Sequence, residues 1–122
     1  MKRDASLYVK DILEAMEKAE SFIGAMERND FLVDEKTNFA VVRCLEIIGE
    51  ATKNIPDAIR EKYKDVPWRD MAGMRDKVSH FYFGTDFNKV WLAVKKNFPV
   101  LKPRIKQVLA DIGGRAEPDQ DI

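Results

Sequence analysis

Cysteine and histidine are almost absent from this chain, and their scarcity limits the chemistry available to it. Cys44 is the only cysteine and His80 the only histidine among 122 residues. A single cysteine excludes an internal disulfide and a zinc site built mainly from cysteines. A single histidine means that one chain cannot supply two imidazoles. Cys44 lies in an apolar helical stretch, where we expect a buried structural thiol.

Glycine, proline and long apolar runs are also scarce. The chain has 6 glycines and 5 prolines, while leucine, alanine, glutamate, lysine and methionine are plentiful, which favours helix. No apolar run approaches the length of a membrane-spanning helix, and the N-terminal residues lack the apolar centre of a signal peptide. We therefore expect a cytoplasmic protein that does not act at a membrane.

The net charge is zero, which argues against a strong, sequence-independent nucleic-acid binder. The charges are nevertheless unevenly distributed, because residues 87–107 contain basic residues and no acidic ones. The basic residues of this segment are Lys89, Lys95, Lys96, Lys102, Arg104 and Lys106. They form either a solvated helix face or a basic flank near an anionic substrate such as RNA.

Apolar periodicity and turn signals predict an all-α protein. A first helix is predicted from Asp4 to Arg28, with Leu7 on its apolar stripe, followed by a turn at Asn29-Asp30. A second, central helix is predicted from Asp34, with Phe39 facing the core. Gly49 in its interior costs about 1 kcal/mol against alanine, and it either allows close helix–helix approach or is simply tolerated.

Prolines divide the second half of the chain. A short helix is predicted from Pro56 to about Tyr63, and a further helix from Pro67 toward Tyr82, because proline suits a first helical turn. A cap at Asp86 begins the next helix, and a break is predicted near Asn97 because Pro99 follows. The sequence thus predicts one helical domain over 1–114, a four- to five-helix bundle, and a disordered tail over 115–122.

The segment most suited to chemistry runs from Met74 to Gly84. It contains Arg75, Asp76, Ser79, His80 and Tyr82. An arginine followed five positions later by a histidine is, alone, a weak signal of catalysis. On a regular helix the two lie about 140° apart, so distortion, the long arginine side chain or a two-fold partner is needed to bring the groups together.

This pair suits the cleavage of RNA through its own 2′-hydroxyl. That reaction needs a base, an acid and positive charge on the phosphate in the transition state. Histidine is the natural acid–base group near neutral pH, and arginine clamps phosphate oxygens through its fork of donors. A dimer would supply the second imidazole, and no metal or cofactor is required.

The same stretch resembles the Arg-x-x-x-x-His-x-Tyr motif of HepT-like proteins in the HEPN superfamily. Arg75, His80, Phe81 and Tyr82 match the motif, and the flanking residues 68–74 and 83–86 match as well. The segment 45–51 is similar to the second helix of the family. The resemblance extends over roughly residues 4–110.

The resemblance implies a HEPN-like homodimer that acts as a metal-independent endoribonuclease toxin. It implies that Arg75 and His80 are catalytic. It further implies a partner, a cognate MNT-type nucleotidyltransferase antitoxin, that transfers AMP from ATP to Tyr82 and thereby silences the nuclease. Asp76 occupies a polar position that supports Arg75 or the partner chain's imidazole, and Ser79 is a second supporting residue on the same segment.

Plainer interpretations remain open beside this one. Arg75 is able to pair with Asp70 or Asp76 on the surface, and Trp68 and Trp91 are most simply core or interface aromatics. Glu46 and Glu50 are expected to be solvated or paired with Arg43 and Lys53. The alternative function is a non-catalytic helical module that binds a nucleotide or recruits substrate for a partner nucleotidyltransferase. A carboxylate metal site in the bundle is disfavoured, because no Glu-x-x-His pattern is present.

Overall fold

Helices account for the regular structure in the part of the chain that is described. The structure is a computed structural model that describes residues 4–75 and 86–113. Its helices are α1 (Ala5–Ile23), α2 (Arg28–Val33), α3 (Glu35–Lys53), α4 (Asp57–Lys62), α5 (Trp68–Ala72), α6 (Phe87–Leu92) and α7 (Phe98–Gly113), with a π-helical turn (Ala93–Asn97) between α6 and α7. The predicted all-α class is confirmed. The tail predicted over 115–122 lies outside the described residues.

Aspartates begin three of these helices, as their positions in the sequence suggest. The carboxylate of Asp4 accepts a hydrogen bond from the Ser6 amide at 2.8 Å, that of Asp34 from Thr37 at 3.0 Å, and that of Asp86 from Asn88 at 2.9 Å. Each bond satisfies an amide that the helix itself leaves unpaired. The hydrogen bond from Ser6 also lowers the pKa of Asp4.

The first helix ends earlier than its pattern predicts. Gly24 adopts a φ of 54°, and its amide donates to the Glu20 carbonyl at 2.9 Å, which terminates α1 after Ile23. Glycine takes this conformation without the steric penalty of a Cβ atom. The predicted helix to Arg28 is therefore wrong, and so is the predicted turn at Asn29-Asp30, because both residues lie within α2.

The helices enclose one apolar core. Helix α1 packs along α3 and also against α7, while α5 lies against α3. The largest fully buried side chains in the core include Phe31, Phe98, Ile12, Met16, Ile48, Met71 and Ile105. Because α3 is covered from two sides, its predicted central place in the bundle is confirmed.

Two residues predicted to face the core are exposed. Leu7 is 39% exposed and Phe39 is 60% exposed. In α3 the buried side chains begin with Asn38 and Val41, so the buried stripe at the start of the helix lies one residue earlier than the predicted one. In α1 the side chain that faces the core at this point is that of Ser6, one residue before Leu7. Pattern alone did not fix the rotation of these first turns.

The predicted break near Asn97 is replaced by a continuous helical path. The Phe98 amide donates to the Ala93 carbonyl, five residues back, which defines the π-helical turn. Pro99 has no amide hydrogen, and its ring would clash with the carbonyl four residues earlier in a straight α-helix. The wider turn accommodates the proline, as π-bulges do, and α7 then continues through Pro103 to Gly113.

Candidate active site at the junction of α3 and Arg75

Arg75 is held at the end of a short, well-anchored segment. Trp68 begins α5, is 5% exposed, and donates from its indole nitrogen to the Tyr63 carbonyl at 3.0 Å. Met71, one turn later, is fully buried. The chain is again helical at Met74 and Arg75. The anchoring of α5 by two buried side chains fixes the position from which Arg75 extends.

Gly49 brings the backbone of Arg75 directly onto α3. A Cβ atom placed on Gly49 would lie 2.6 Å from the Arg75 nitrogen and 2.9 Å from the Arg75 Cβ. Only glycine permits this approach, because atoms at such distances would overlap with any larger residue. Of the two interpretations of Gly49, the structure therefore favours close approach over simple tolerance.

The Arg75 side chain forms an ion pair with the next residue of α3. Its Nε atom lies 3.2 Å from Oε1 of Glu50, and the two side chains are 54% and 58% exposed. The partner of Arg75 is thus Glu50, whereas Asp70 and Asp76 were the partners expected from the sequence. Glu50 directly follows Gly49 in the sequence. Its pairing with Arg75 could be anticipated only if the contact between Gly49 and Arg75 were already known. The expected pair of Glu46 with Arg43 is confirmed at 3.4 Å.

These residues line a polar cleft beside α3. The cleft has a volume of about 320 Å³. Its polar lining includes Tyr8, Arg43, Glu46, Glu50, Asn54 and Arg75. Arginine fork donors that remain accessible to solvent are suited to phosphate oxygens. Arg75 shares this cleft with the carboxylates of Asp11, Glu46 and Glu50.

The remaining residues of the predicted site lie outside the described part of the chain. Asp76, Ser79, His80 and Tyr82 all fall within residues 76–85. Arg75 is therefore the one predicted site residue whose surroundings the structure describes. The roles of the other four stay predictions.

The basic segment is partly neutralised by contacts within the fold. Lys102 pairs with Glu20 at 2.6 Å, and Arg104 donates to the Asp65 carbonyl at 2.6 Å. Lys89 and Lys96 are exposed, and the Lys95 ammonium lies 5.4 Å from the centre of the Trp91 ring. The exposed lysines fit the expected solvated helix face, while Lys102 and Arg104 make contacts within the fold. A role of the segment as a basic flank near RNA stays a prediction.

Other predicted features take the places expected of them. Cys44 is buried, and burial raises the pKa of its thiol. Trp68 is in the core, and Trp91 packs against Phe31 with 5.6 Å between the ring centres.

Within residues 4–75 and 86–113, no group of three histidine, cysteine or acidic side chains is arranged to hold a metal ion. In the same ranges, no helix is long and apolar enough to cross a bilayer.

The fold and this site define an all-α protein that presents an arginine from the junction of two helices. The family described as "Ribonuclease HepT-like" matches residues 12–108. The chain belongs to this HepT-like family. The predicted resemblance is confirmed at that level.

Individual relatives agree with the family match. The chain is 45% identical over 116 residues to "Putative RNase MJ1216" of Methanocaldococcus jannaschii, covering 95% of this chain and 96% of that protein. It is 48% identical over 108 residues to "Probable ribonuclease HepT" of Thermococcus cleftensis, covering 88% and 98%. A third relative, "Putative RNase TTE0752" of Caldanaerobacter subterraneus, is 41% identical over 102 residues, covering 84% and 91%. No solved structure gives a significant match.

Proposed function

We propose that this protein is a metal-independent endoribonuclease, and that Arg75 and His80 are its catalytic residues. The observation that carries the proposal is the solvent-accessible Arg75 guanidinium, paired with Glu50 at 3.2 Å beside a polar cleft. Its support from the comparisons is membership of a family described as ribonucleases. The substrate class is RNA.

The reaction uses the 2′-hydroxyl of the RNA as its nucleophile. A neutral imidazole removes the 2′-hydroxyl proton, and the 2′-oxygen forms a bond to phosphorus while the bond from phosphorus to the 5′-oxygen breaks. A protonated imidazole supplies the proton that the 5′-oxygen gains. The products are a 2′,3′-cyclic phosphate and a 5′-hydroxyl. The Arg75 guanidinium stabilises the charge that builds up on the phosphate oxygens.

The enzyme acts as a homodimer in this proposal, because the chain has one histidine and the reaction uses two proton-transfer groups. A two-fold axis close to the Arg75–His80 segment brings both copies of the pair into one cleft. Sedimentation of the purified protein at micromolar concentration tests this step. A monomer that nevertheless cleaves RNA at the full rate would contradict it.

The protein is further proposed to be the toxin of a toxin–antitoxin pair. A cognate MNT-type nucleotidyltransferase transfers AMP from ATP to the Tyr82 hydroxyl and releases pyrophosphate. The added phosphodiester carries a negative charge that competes with RNA phosphate for Arg75. An intact-mass measurement after coexpression with the neighbouring gene tests this: one or more AMP units mapping to Tyr82 support it, and an unmodified chain contradicts it.

Growth after expression separates the nuclease from a non-catalytic module. Expression without the neighbouring gene is expected to arrest growth, and His80→Ala to abolish the arrest. Loss of RNA cleavage when the sugar at the mapped cleavage site is 2′-deoxy, with EDTA present throughout, tests the reaction route. Tight complex formation with a nucleotidyltransferase and no toxicity would instead favour the module.

A further inference from the structure

The described structure assigns Arg75 a partner that no part of the proposed mechanism uses. Glu50 follows Gly49 on α3, and its Oε1 atom lies 3.2 Å from Arg75 Nε. Glu50 reaches Arg75 because the backbones of α3 and the Arg75 segment are in direct contact. No side chain fits between the α-carbon of Gly49 and the amide of Arg75. The carboxylate is therefore presented to Arg75 by two rigidly packed segments.

The contact occupies one side of the guanidinium. An arginine has five N–H donors in a planar fork, and the Nε atom is distinct from the terminal edge formed by its two Nη atoms. A carboxylate at Nε fixes the rotation of the group while the terminal edge remains suited to bidentate binding of phosphate. The 54% exposure of the Arg75 side chain is consistent with access from solvent.

The neighbouring carboxylate in the cleft has a different partner. Glu46 lies one helical turn before Glu50 and pairs with Arg43 on its own helix at 3.4 Å. Arg43 is 71% exposed. Of these two glutamates, which lie one turn apart in the cleft, it is Glu50 that pairs with Arg75.

We propose that Glu50 is a positioning residue, which holds the Arg75 guanidinium in the orientation that receives the RNA phosphate. This inference rests on the proposed function of Arg75. A misplaced catalytic group slows the chemical step more than it weakens substrate binding, because the lost interaction is needed most in the transition state. The opposite role, in which Glu50 masks Arg75 from RNA, predicts tighter RNA binding when the carboxylate is removed.

The test compares Glu50→Gln with the control Glu61→Gln on one RNA under single-turnover conditions. Glu50→Gln is expected to lower the maximal rate about tenfold and to change the RNA concentration at half-maximal rate by less than about threefold. Glu50→Asp is expected to recover part of the rate. Glu61→Gln is expected to retain the full rate, because Glu61 is exposed on α4 and does not line the cleft. An unchanged rate for Glu50→Gln, or tighter RNA binding with a faster rate, would overturn the proposal.

A second measurement reports on the contact without any activity. The Nε–Hε resonance of Arg75 is assigned by its loss in Arg75→Lys protein. It is expected to be shifted and to exchange faster with solvent in Glu50→Gln but not in Glu46→Gln. An unchanged resonance in Glu50→Gln overturns the inference even if the rate falls.

These outcomes separate the inference from the function on which it rests. If wild-type protein cleaves RNA and Arg75→Ala does not, the proposed function stands, and the Glu50 variants alone decide the inference. In an Arg75→Lys background, Glu50→Gln is expected to have little additional effect, since Glu50 acts through the guanidinium. Full activity of Arg75→Ala would remove both proposals together.

Discussion

The Arg75 amide nitrogen lies so close to Gly49 that a Cβ atom on Gly49 would be 2.6 Å away from it. The segment carrying Arg75 is thus seated on α3 through backbone contact, and the glutamate that follows the glycine reaches the guanidinium. This relationship connects a helix-interior glycine to the orientation of the proposed catalytic arginine.

Gly49→Ala is expected to destabilise the protein, although alanine is the better helix former. The overlap with Arg75 forces the two segments apart, at a cost of about 1–3 kcal/mol, which exceeds the propensity gain of about 1 kcal/mol. Denaturant unfolding followed by circular dichroism measures the change. RNA cleavage is expected to fall as well, because Arg75 moves with its backbone.

Gly73→Ala is the matched control for that experiment. Gly73 has a φ of −72°, and a Cβ atom there would meet its nearest neighbours at 3.5 Å, an ordinary contact distance. Its substitution is expected to leave stability unchanged or slightly raised. Equal losses in the two variants would contradict the close-approach explanation.

Arg60→Ala is expected to weaken the end of α3. The Arg60 guanidinium donates to the Thr52 carbonyl in the last turn of α3 at 2.7 Å and to the Ile55 carbonyl just beyond it at 3.1 Å, which ties the end of α3 to α4. A loss of about 1–2 kcal/mol is expected in the free energy of unfolding. Arg69→Ala, an exposed arginine on α5, is expected to change it by less than about 0.5 kcal/mol.

Tyr63→Phe is expected to reduce stability near neutral pH and to matter less at either extreme. The Tyr63 hydroxyl donates to Asp111 at 2.7 Å, which lowers the pKa of Asp111 and raises that of Tyr63. The stabilisation that comes from Asp111 is present above its ordinary pKa of 3.8 and is lost as the pH falls through its lower pKa in the folded protein. The stabilisation that comes from Tyr63 is present below its ordinary pKa of 10.0 and is lost as the pH rises through its higher pKa in the folded protein.

Thermal unfolding of wild-type and Tyr63→Phe protein across the pH range measures this difference. The gap between the two melting temperatures is expected to be widest between the two pKa values and to narrow in acid and in alkali. A gap that stays constant with pH would mean that the hydrogen bond between Tyr63 and Asp111 does not contribute.

Cys44 is expected to resist thiol reagents in the folded protein. Its side chain is buried and burial raises the pKa of the thiol, and both effects slow attack by the thiolate. Labelling measured at increasing denaturant concentrations should follow unfolding. Ser21→Cys in a Cys44→Ala background, at an exposed position of α1, is expected to label rapidly without denaturant.

Much of the fold follows from local sequence signals. The aspartate caps and the restarts at the prolines are short-range effects, so they could be predicted from neighbouring residues. The end of α1 was mispredicted because the positive φ of Gly24 overrode an apolar stripe that continues to Met26. The π-helical turn before Pro99 was missed because proline in a helix is most often a break, whereas here the helix widens and continues.

The candidate site could be predicted only in part, for a physical reason. Arg75 was identified from its motif, but Glu50 was assigned to solvent or Lys53, since neighbours on one helix are all that a sequence pattern reveals. Its pairing with Arg75 depends on how α5 sits on α3. Such contacts between separate helices are set by packing, and Gly49 became interpretable only when the structure placed Arg75 against it.

The rate at which one defined RNA is cleaved in the presence of EDTA tests the central claim most directly. Wild-type protein and the Arg69→Ala control are expected to cleave it at similar rates, whereas Arg75→Ala and His80→Ala are each expected to lose at least about a hundredfold. Cleavage by either of those two variants at the wild-type rate would contradict the account.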